Sequence, residues 1–83
     1  MNIPIQVISC TDTNGRITPL RFRFKNDKEE LVTIDNVVVR QRSQNTSVLS
    51  FTCESIVEDR SSEFTLFYRV IDHVWFMQKE KTS

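Results

Sequence analysis

Basic side chains recur at every second position in one short stretch of the chain, where they could form a binding face. Residues 20–25 read Leu-Arg-Phe-Arg-Phe-Lys. Because side chains of a β-strand alternate between its two sides, Arg21, Arg23 and Lys25 point one way. Leu20 and the two phenylalanines point the other way. We therefore predict a strand with a basic outer face and a buried apolar face.

Three further arginines and one aromatic residue extend this predicted basic face. By the same alternation we expect Arg40, Arg42, Arg69 and Phe67 to face outward on other strands. Guanidinium groups bind phosphates and carboxylates bidentately, and an exposed aromatic ring can stack on a nucleic-acid base. The competing interpretation is a solvated sheet face, on which acidic neighbours such as Glu54 neutralise the arginines. A net charge of zero favours the solvated face and disfavours nucleic acid as a partner.

The residues that could carry catalysis or bind a metal form no recognisable set. His73 is the only histidine, and its neighbour Asp72 would point away from the ring, so we interpret His73 as a turn residue. Cys53 alternates with apolar neighbours and is expected to be a buried small hydrophobe. Two cysteines and one histidine fall short of a four-ligand zinc site, and a single glycine excludes a glycine-rich phosphate loop. We expect no enzyme activity, no metal and no cofactor.

Composition points to one domain in the cytoplasm. The chain has 83 residues, 39% of them hydrophobic, which suffices for a single core. Two cysteines do not make a disulfide framework, so we expect both to be reduced. No apolar run is long enough to cross a membrane, and the first residues lack the pattern of a signal peptide. We predict a single all-β domain over residues 1–83, with residues 79–83 as a frayed tail.

Alternating apolar residues and turn-forming residues predict strands and no long helix. Pro19 cannot donate a ladder hydrogen bond, so we expect a bulge there. Asp35 and Asn36 interrupt an apolar run and predict a kink, which would let one strand serve two halves of a curled sheet. The predicted strands cover residues 3–9, 16–25, 31–41, 48–57, 63–71 and 75–78, with turns at 10–15, 26–30, 42–46, 58–61 and 72–73.

These elements predict a small antiparallel meander of five or six strands. With no helix to cover its apolar face, the sheet should curl into a barrel or half-barrel of SH3-like or OB-like size. We expect its core to rest on aromatic side chains, namely Phe22, Phe24, Phe51, Phe64 and Trp75.

The pattern resembles small uncharacterised bacterial all-β proteins of unknown function. The pieces that carry the resemblance are the turn with Gly15, Pro-Leu-Arg-Phe-Arg-Phe at 19–24, Val-Val-Arg at 38–40, and Tyr68 followed by Trp-Phe-Met at 75–77. The resemblance covers most of the chain and implies no activity.

The sequence thus favours a non-enzymatic binding module that acts through protein–protein contact. An exposed strand edge could pair with an extended segment of an unknown protein or with a second copy of this chain. The alternative is single-stranded nucleic acid bound on the outer face that carries the arginines and Phe67. We expect no membrane association.

Overall fold

A computed structural model describes residues 2–78, and the predicted tail at 79–83 lies outside them. The described part is built from strands and turns. Its strands are β1 (Asn2–Pro4), β2 (Gln6–Thr11), β3 (Ile17–Lys25), β4 (Leu31–Ile34), β5 (Val38–Gln44), β6 (Val48–Val57), β7 (Arg60–Arg69) and β8 (Val74–Gln78).

The strands form two antiparallel sheets. One has five strands in the order β1-β8-β7-β6-β5, and the other has three in the order β2-β3-β4. The prediction of an all-β antiparallel fold is therefore confirmed. Over residues 2–78 the hydrogen-bonded ladders do not close into a barrel.

Two bends carry the chain from one sheet to the other. The predicted kink at Asp35 and Asn36 is confirmed, since β4 before it belongs to the three-stranded sheet and β5 after it to the five-stranded one. Asn36 has a positive φ of 54°, which asparagine tolerates better than most residues. The predicted strand 3–9 also breaks, at Ile5, into β1 and β2. At that break the Ile5 N–H still donates to the carbonyl of Trp75.

The bulge predicted at Pro19 is confirmed, and it changes which side chain is buried. Ile8 pairs with Arg21 but Ser9 pairs with Pro19, so Leu20 is the extra residue of β3. The extra residue shifts the alternation, and Pro19 turns inward in place of Leu20. The prediction that Leu20 shares the buried face is wrong, because Leu20 is 45% exposed.

The core lies between the inner faces of the two sheets. Of the five predicted aromatic core residues, Phe22 and Phe51 are buried, and the other three are half-buried against them. The Phe22 and Phe64 rings, one from each sheet, meet edge to face with centroids 5.4 Å apart. The remaining buried hydrophobic residues are Ile5, Ile34, Val37, Cys53, Leu66 and Met77.

Several turns are shorter or placed differently than predicted. Cys10 belongs to β2 rather than a turn, and Arg42 belongs to β5. The turn before β7 contains only Glu58 and Asp59, while the one before β8 extends over residues 70–73. Among residues 2–78 there is no helix long and apolar enough to cross a lipid bilayer.

Candidate functional site: an open-edge groove between the sheets

The basic residues of β3 lie on the outer face of the three-stranded sheet, as predicted. Arg21, Arg23 and Lys25 are exposed on this face. The Nε of Arg21 lies 3.0 Å from Oδ1 of Asp35, and the Arg23 guanidinium donates to the Gln6 side chain. Two of the three cations are thus already engaged, Arg21 by Asp35 at the kink after β4 and Arg23 by Gln6 on β2.

A second group of predicted site residues lies on the outer face of the five-stranded sheet. Nη2 of Arg40 lies 3.5 Å from Oε1 of Glu54, and Nε of Arg69 lies 3.0 Å from Oδ1 of Asp72. Phe67 stacks on its cross-strand neighbour Phe76, with ring centroids 5.2 Å apart and planes 14° apart. The Arg69 guanidinium lies 6.0 Å from the Phe76 ring centroid, within reach of a cation–π contact.

Arg42 does not face outward, which corrects the prediction. Its Nη1 donates to the carbonyl oxygen of Ile17 at 2.6 Å, and its Nη2 donates to Oγ1 of Thr18 at 2.7 Å. The guanidinium also lies 5.4 Å from the Phe51 ring centroid. Arg42 therefore links β5 to β3 across the gap between the sheets.

The predicted basic residues consequently do not form one continuous face. Both sheets turn their inner faces to a shared core, so their outer faces look away from each other. One group lies on each outer face, and Arg42 lies between the sheets.

A different feature stands out, because β6 is longer than its neighbour β5. The β5–β6 ladder ends where Val38 pairs with Glu54, since the chain before Val38 bends away. The β6–β7 ladder continues to the pair between Val57 and Arg60. Among the described residues, 2–78, β6 therefore has a neighbouring strand on one side only over its last three residues, 55–57.

The alternation of the ladder places free backbone groups at Ile56. Glu58 and Asp59 have φ values of 50° and 63°, the signature of a two-residue hairpin turn in which the flanking Val57 and Arg60 exchange hydrogen bonds. In an antiparallel ladder every second residue points its N–H and C=O to the other side. The N–H and C=O of Ile56 therefore point away from β7, into the gap.

The facing strand, β4, is also an edge. Within the described part of the chain β4 pairs only with β3, and the Asn26 N–H donates to the Glu30 carbonyl at the hairpin that joins them. The Glu30 carbonyl therefore points toward β3. Because the direction alternates along the strand, the backbone groups of Leu31 and Thr33 point away from β3. Two open strand edges thus face each other.

Between these edges lies a groove of about 470 Å³, which we call the open-edge groove. The hydroxyl of Ser55 donates to the carbonyl oxygen of Asp35 and ties the strands together at one end. The charged groups at the groove are three carboxylates and one guanidinium, and Ile56 at its rim is 68% exposed. The groove is lined by Thr33, Ile34, Asp35, Asn36, Val38, Arg40, Glu54, Ser55, Ile56, Val57 and Glu58.

The burial and contacts of the two cysteines and the histidine describe what each of these side chains can do. Cys53 is fully buried, as predicted, and burial raises the pKa of its thiol to about 11, partly offset by the positive charge of Arg42. Cys10 is exposed, and both thiols are free. His73 lies in the last turn, with Nδ1 2.6 Å from the Tyr68 hydroxyl. Among residues 2–78 no three metal-ligating side chains come together.

Sequence reasoning found the kink that opens the groove but not the groove itself. The groove depends on the end of the β5–β6 ladder at Glu54, which no pattern in the sequence indicates. No family model, curated protein or solved structure matches the chain.

Proposed function

We propose that this protein is a non-enzymatic binding module that takes up an extended segment of a partner protein in the open-edge groove. The observation that carries the proposal is that Thr33 and Ile56 both line the groove, point their backbone groups away from β3 and β7, and have no strand partner there within residues 2–78. An added strand would satisfy these groups by main-chain hydrogen bonds, the mode known as strand addition. Each such bond contributes about 0.5–1.5 kcal/mol net of the water it replaces.

The bend at residues 35–37 supports selective rather than indiscriminate pairing. It limits β4 to four residues, and the open part of β6 to three. Short edges beside charged side chains resist edge-to-edge aggregation. A segment that enters the groove must therefore be short and held from both sides.

The lining indicates the chemistry of the segment. Glu54 pairs with Arg40, and Asp35 pairs with Arg21, whereas no ion pair within residues 2–78 engages Glu58. The groove therefore favours a segment with lysine or arginine near Glu58. Ile56 and Val38, both exposed, offer apolar contact at the rim. We infer a basic segment in which polar and apolar side chains alternate.

The experiment is a selection of displayed ten-residue peptides with randomised sequence against the purified full chain. The test variant is Ile56→Pro, which removes the N–H that faces the groove and leaves the β7 hydrogen bonds in place. The matched control is Ser9→Pro, which removes an outward-facing N–H on the remote edge strand β2. Thermal melts confirm that each variant folds. Should Ile56→Pro fail to fold, Ile56→Lys keeps the backbone and places at the rim a positive charge that repels a basic segment.

The expected result is enrichment of basic peptides that bind wild type and Ser9→Pro alike and lose at least tenfold in affinity for the Ile56 variant. Failure to enrich any peptide would overturn the proposal. So would peptides that bind the Ile56 variant as tightly as wild type.

The alternative, single-stranded nucleic acid, draws support from the Phe67–Phe76 stack beside Arg69. It is weakened by the ion pair that Arg69 makes with Asp72. Titration of a labelled oligonucleotide at two salt concentrations decides it, since phosphate-mediated binding must weaken steeply with salt.

We further infer that the two sheets work as one bent half-barrel in the cytoplasm. The two bends and the Arg42 contacts support the half-barrel. The free exposed thiol of Cys10 supports a reducing compartment.

A further inference from the structure

Strand β2 is an edge strand whose residues are suited to pairing with a further strand. Of the strands formed by residues 2–78, β2 pairs only with β3, and the chain reaches it by turning away from β8 at Ile5. Its six residues, Gln-Val-Ile-Ser-Cys-Thr, include no charge and no proline. Natural edge strands are normally protected by such residues, so an unprotected one marks a contact.

The backbone groups that β2 presents follow from the ladder. At the end of the hairpin the Asp12 N–H donates to the carbonyl of Arg16, so Asp12 faces β3. Alternation then directs the N–H and C=O of Thr11, Ser9 and Val7 away from β3. Ser9 lies opposite Pro19, which has no N–H to offer, and this agrees with its outward direction. No hydrogen bond to these outward groups occurs within residues 2–78.

We propose that β2 pairs antiparallel with β2 of a second copy of this chain, about a two-fold axis at Ser9. In this register Ser9 lies opposite its own copy, and Val7 lies opposite Thr11 of the partner. Each of these three pairs exchanges two main-chain hydrogen bonds, which gives six in all. The two three-stranded sheets then become one sheet of six strands.

A second copy fits this edge better than an unrelated segment because the edge is complementary to itself. A two-fold axis requires each residue to oppose a residue of the same strand, and an uncharged strand places no like charges opposite each other. Side chains also match, since Ile8, which is 56% exposed, comes to lie against Cys10 of the partner. The nearest cation on β3, Arg21, is neutralised by Asp35.

The register is tested by a disulfide. Ile8 and the partner's Cys10 form a pair without hydrogen bonds, with Cα atoms about 4.5 Å apart, inside the range that a disulfide spans. Ile8→Cys should therefore give a covalent dimer on mild oxidation, visible on a non-reducing gel. Wild type should not, because Cys10 of the two copies are diagonal neighbours about 7–8 Å apart. Crosslinking of the double variant I8C/C10S would place Ile8 opposite itself and overturn this register.

The association itself is tested by light scattering of the full chain under reducing conditions. Wild type and Ile56→Pro should be dimers, and Ser9→Pro should be a folded monomer. A monomeric wild type at high protein concentration, or a Ser9→Pro variant that remains dimeric, would overturn the proposal. Because the peptide experiment depends on Ile56 and this one on Ser9, the two proposals can fail separately.

Discussion

The guanidinium of Arg42 on β5 donates a hydrogen bond to the carbonyl oxygen of Ile17 on β3, at 2.6 Å. This contact joins the edge of the five-stranded sheet to the three-stranded sheet, and no ladder within residues 2–78 continues from one sheet to the other there. A residue that looks like surface charge in the sequence thus holds the two sheets together.

Replacing Arg42 with Met should lower the free energy of unfolding by about 1.5–3 kcal/mol, the usual range for hydrogen bonds to charged groups. The reason is that the Ile17 carbonyl and the Thr18 hydroxyl lose their partner. Urea unfolding measures the change. The control is Arg40→Met, whose exposed pair with Glu54 should contribute no more than about 1 kcal/mol. Equal effects at the two positions would contradict the role given to Arg42.

Phe22→Ala should cost about 3–5 kcal/mol and leave much of the protein unfolded, because Phe22 is only 1% exposed and its removal leaves a cavity. The matched control is Leu20→Ala on the same strand, which should be nearly neutral because the bulge places Leu20 outside. A thermal melt of each variant is sufficient. A cooperative melt of Phe22→Ala close to that of wild type would show that the faces of β3 are reversed.

Two hairpin loops, residues 12–16 and 26–30, share one backbone design but place different residue types at the position with a positive φ. Asp12 and Asn26 each accept two backbone N–H groups with their side-chain oxygens. The fourth position has a positive φ in both loops, 80° at Gly15 and 58° at Glu29. Glu29→Gly should raise stability by about 0.5–1 kcal/mol, because relief of the left-handed backbone outweighs the added freedom of the unfolded chain.

The converse substitution, Gly15→Ala, should lower stability by about 1 kcal/mol through φ alone, since a Cβ there would meet no neighbour within 4 Å. Chemical denaturation measures the free energy of unfolding of each variant, which should rise for Glu29→Gly and fall for Gly15→Ala. A destabilised Glu29→Gly variant would mean that the Glu29 side chain matters more than its backbone angle.

Stability should fall as the pH rises from about 9 to about 11. The pKa of Cys53 is about 11 in the folded protein and near 9.0 when exposed, so above pH 9 the unfolded chain loses this proton first. Urea unfolding at pH 8 and at pH 10.5 measures the loss, and comparison with Cys53→Ala isolates it from other titrating groups. An equal pH dependence in the variant would show that Cys53 is not the cause.

The alternation of apolar and polar residues predicted most of the strands, because burial of one face of a strand gives its sequence a period of two. The interruption of this alternation at Asp35 and Asn36 predicted the kink. The alternation failed at Leu20 and Arg42 for one physical reason. A bulge adds one residue and reverses every side chain beyond it: Val39 pairs with Cys53 but Gln41 with Thr52, so the extra residue Arg40 turns Arg42 inward. Pro19 indicated the bulge in β3, whereas no residue near Arg40 indicates the bulge in β5.

The open-edge groove was beyond sequence reasoning because it depends on where two non-adjacent strands stop pairing. The kink at Asp35 and Asn36 was predictable, but the end of the β5–β6 ladder at Glu54 is a tertiary property. The open backbone groups of Ile56 are also a tertiary property, because the alternation of the sequence identifies Ile56 only as a residue of a strand.

Amide hydrogen exchange of the free protein, resolved by residue, tests the open edges most directly. The amide of Ile56 should exchange rapidly, while Ser55 and Val57, bonded to β7, exchange only on global unfolding. On the facing strand the amide of Thr33 should be fast and that of Ile34 slow. Protection of Ile56 and Thr33 equal to that of their neighbours would mean that the ladder closes across the gap, and it would contradict the proposed strand-addition groove.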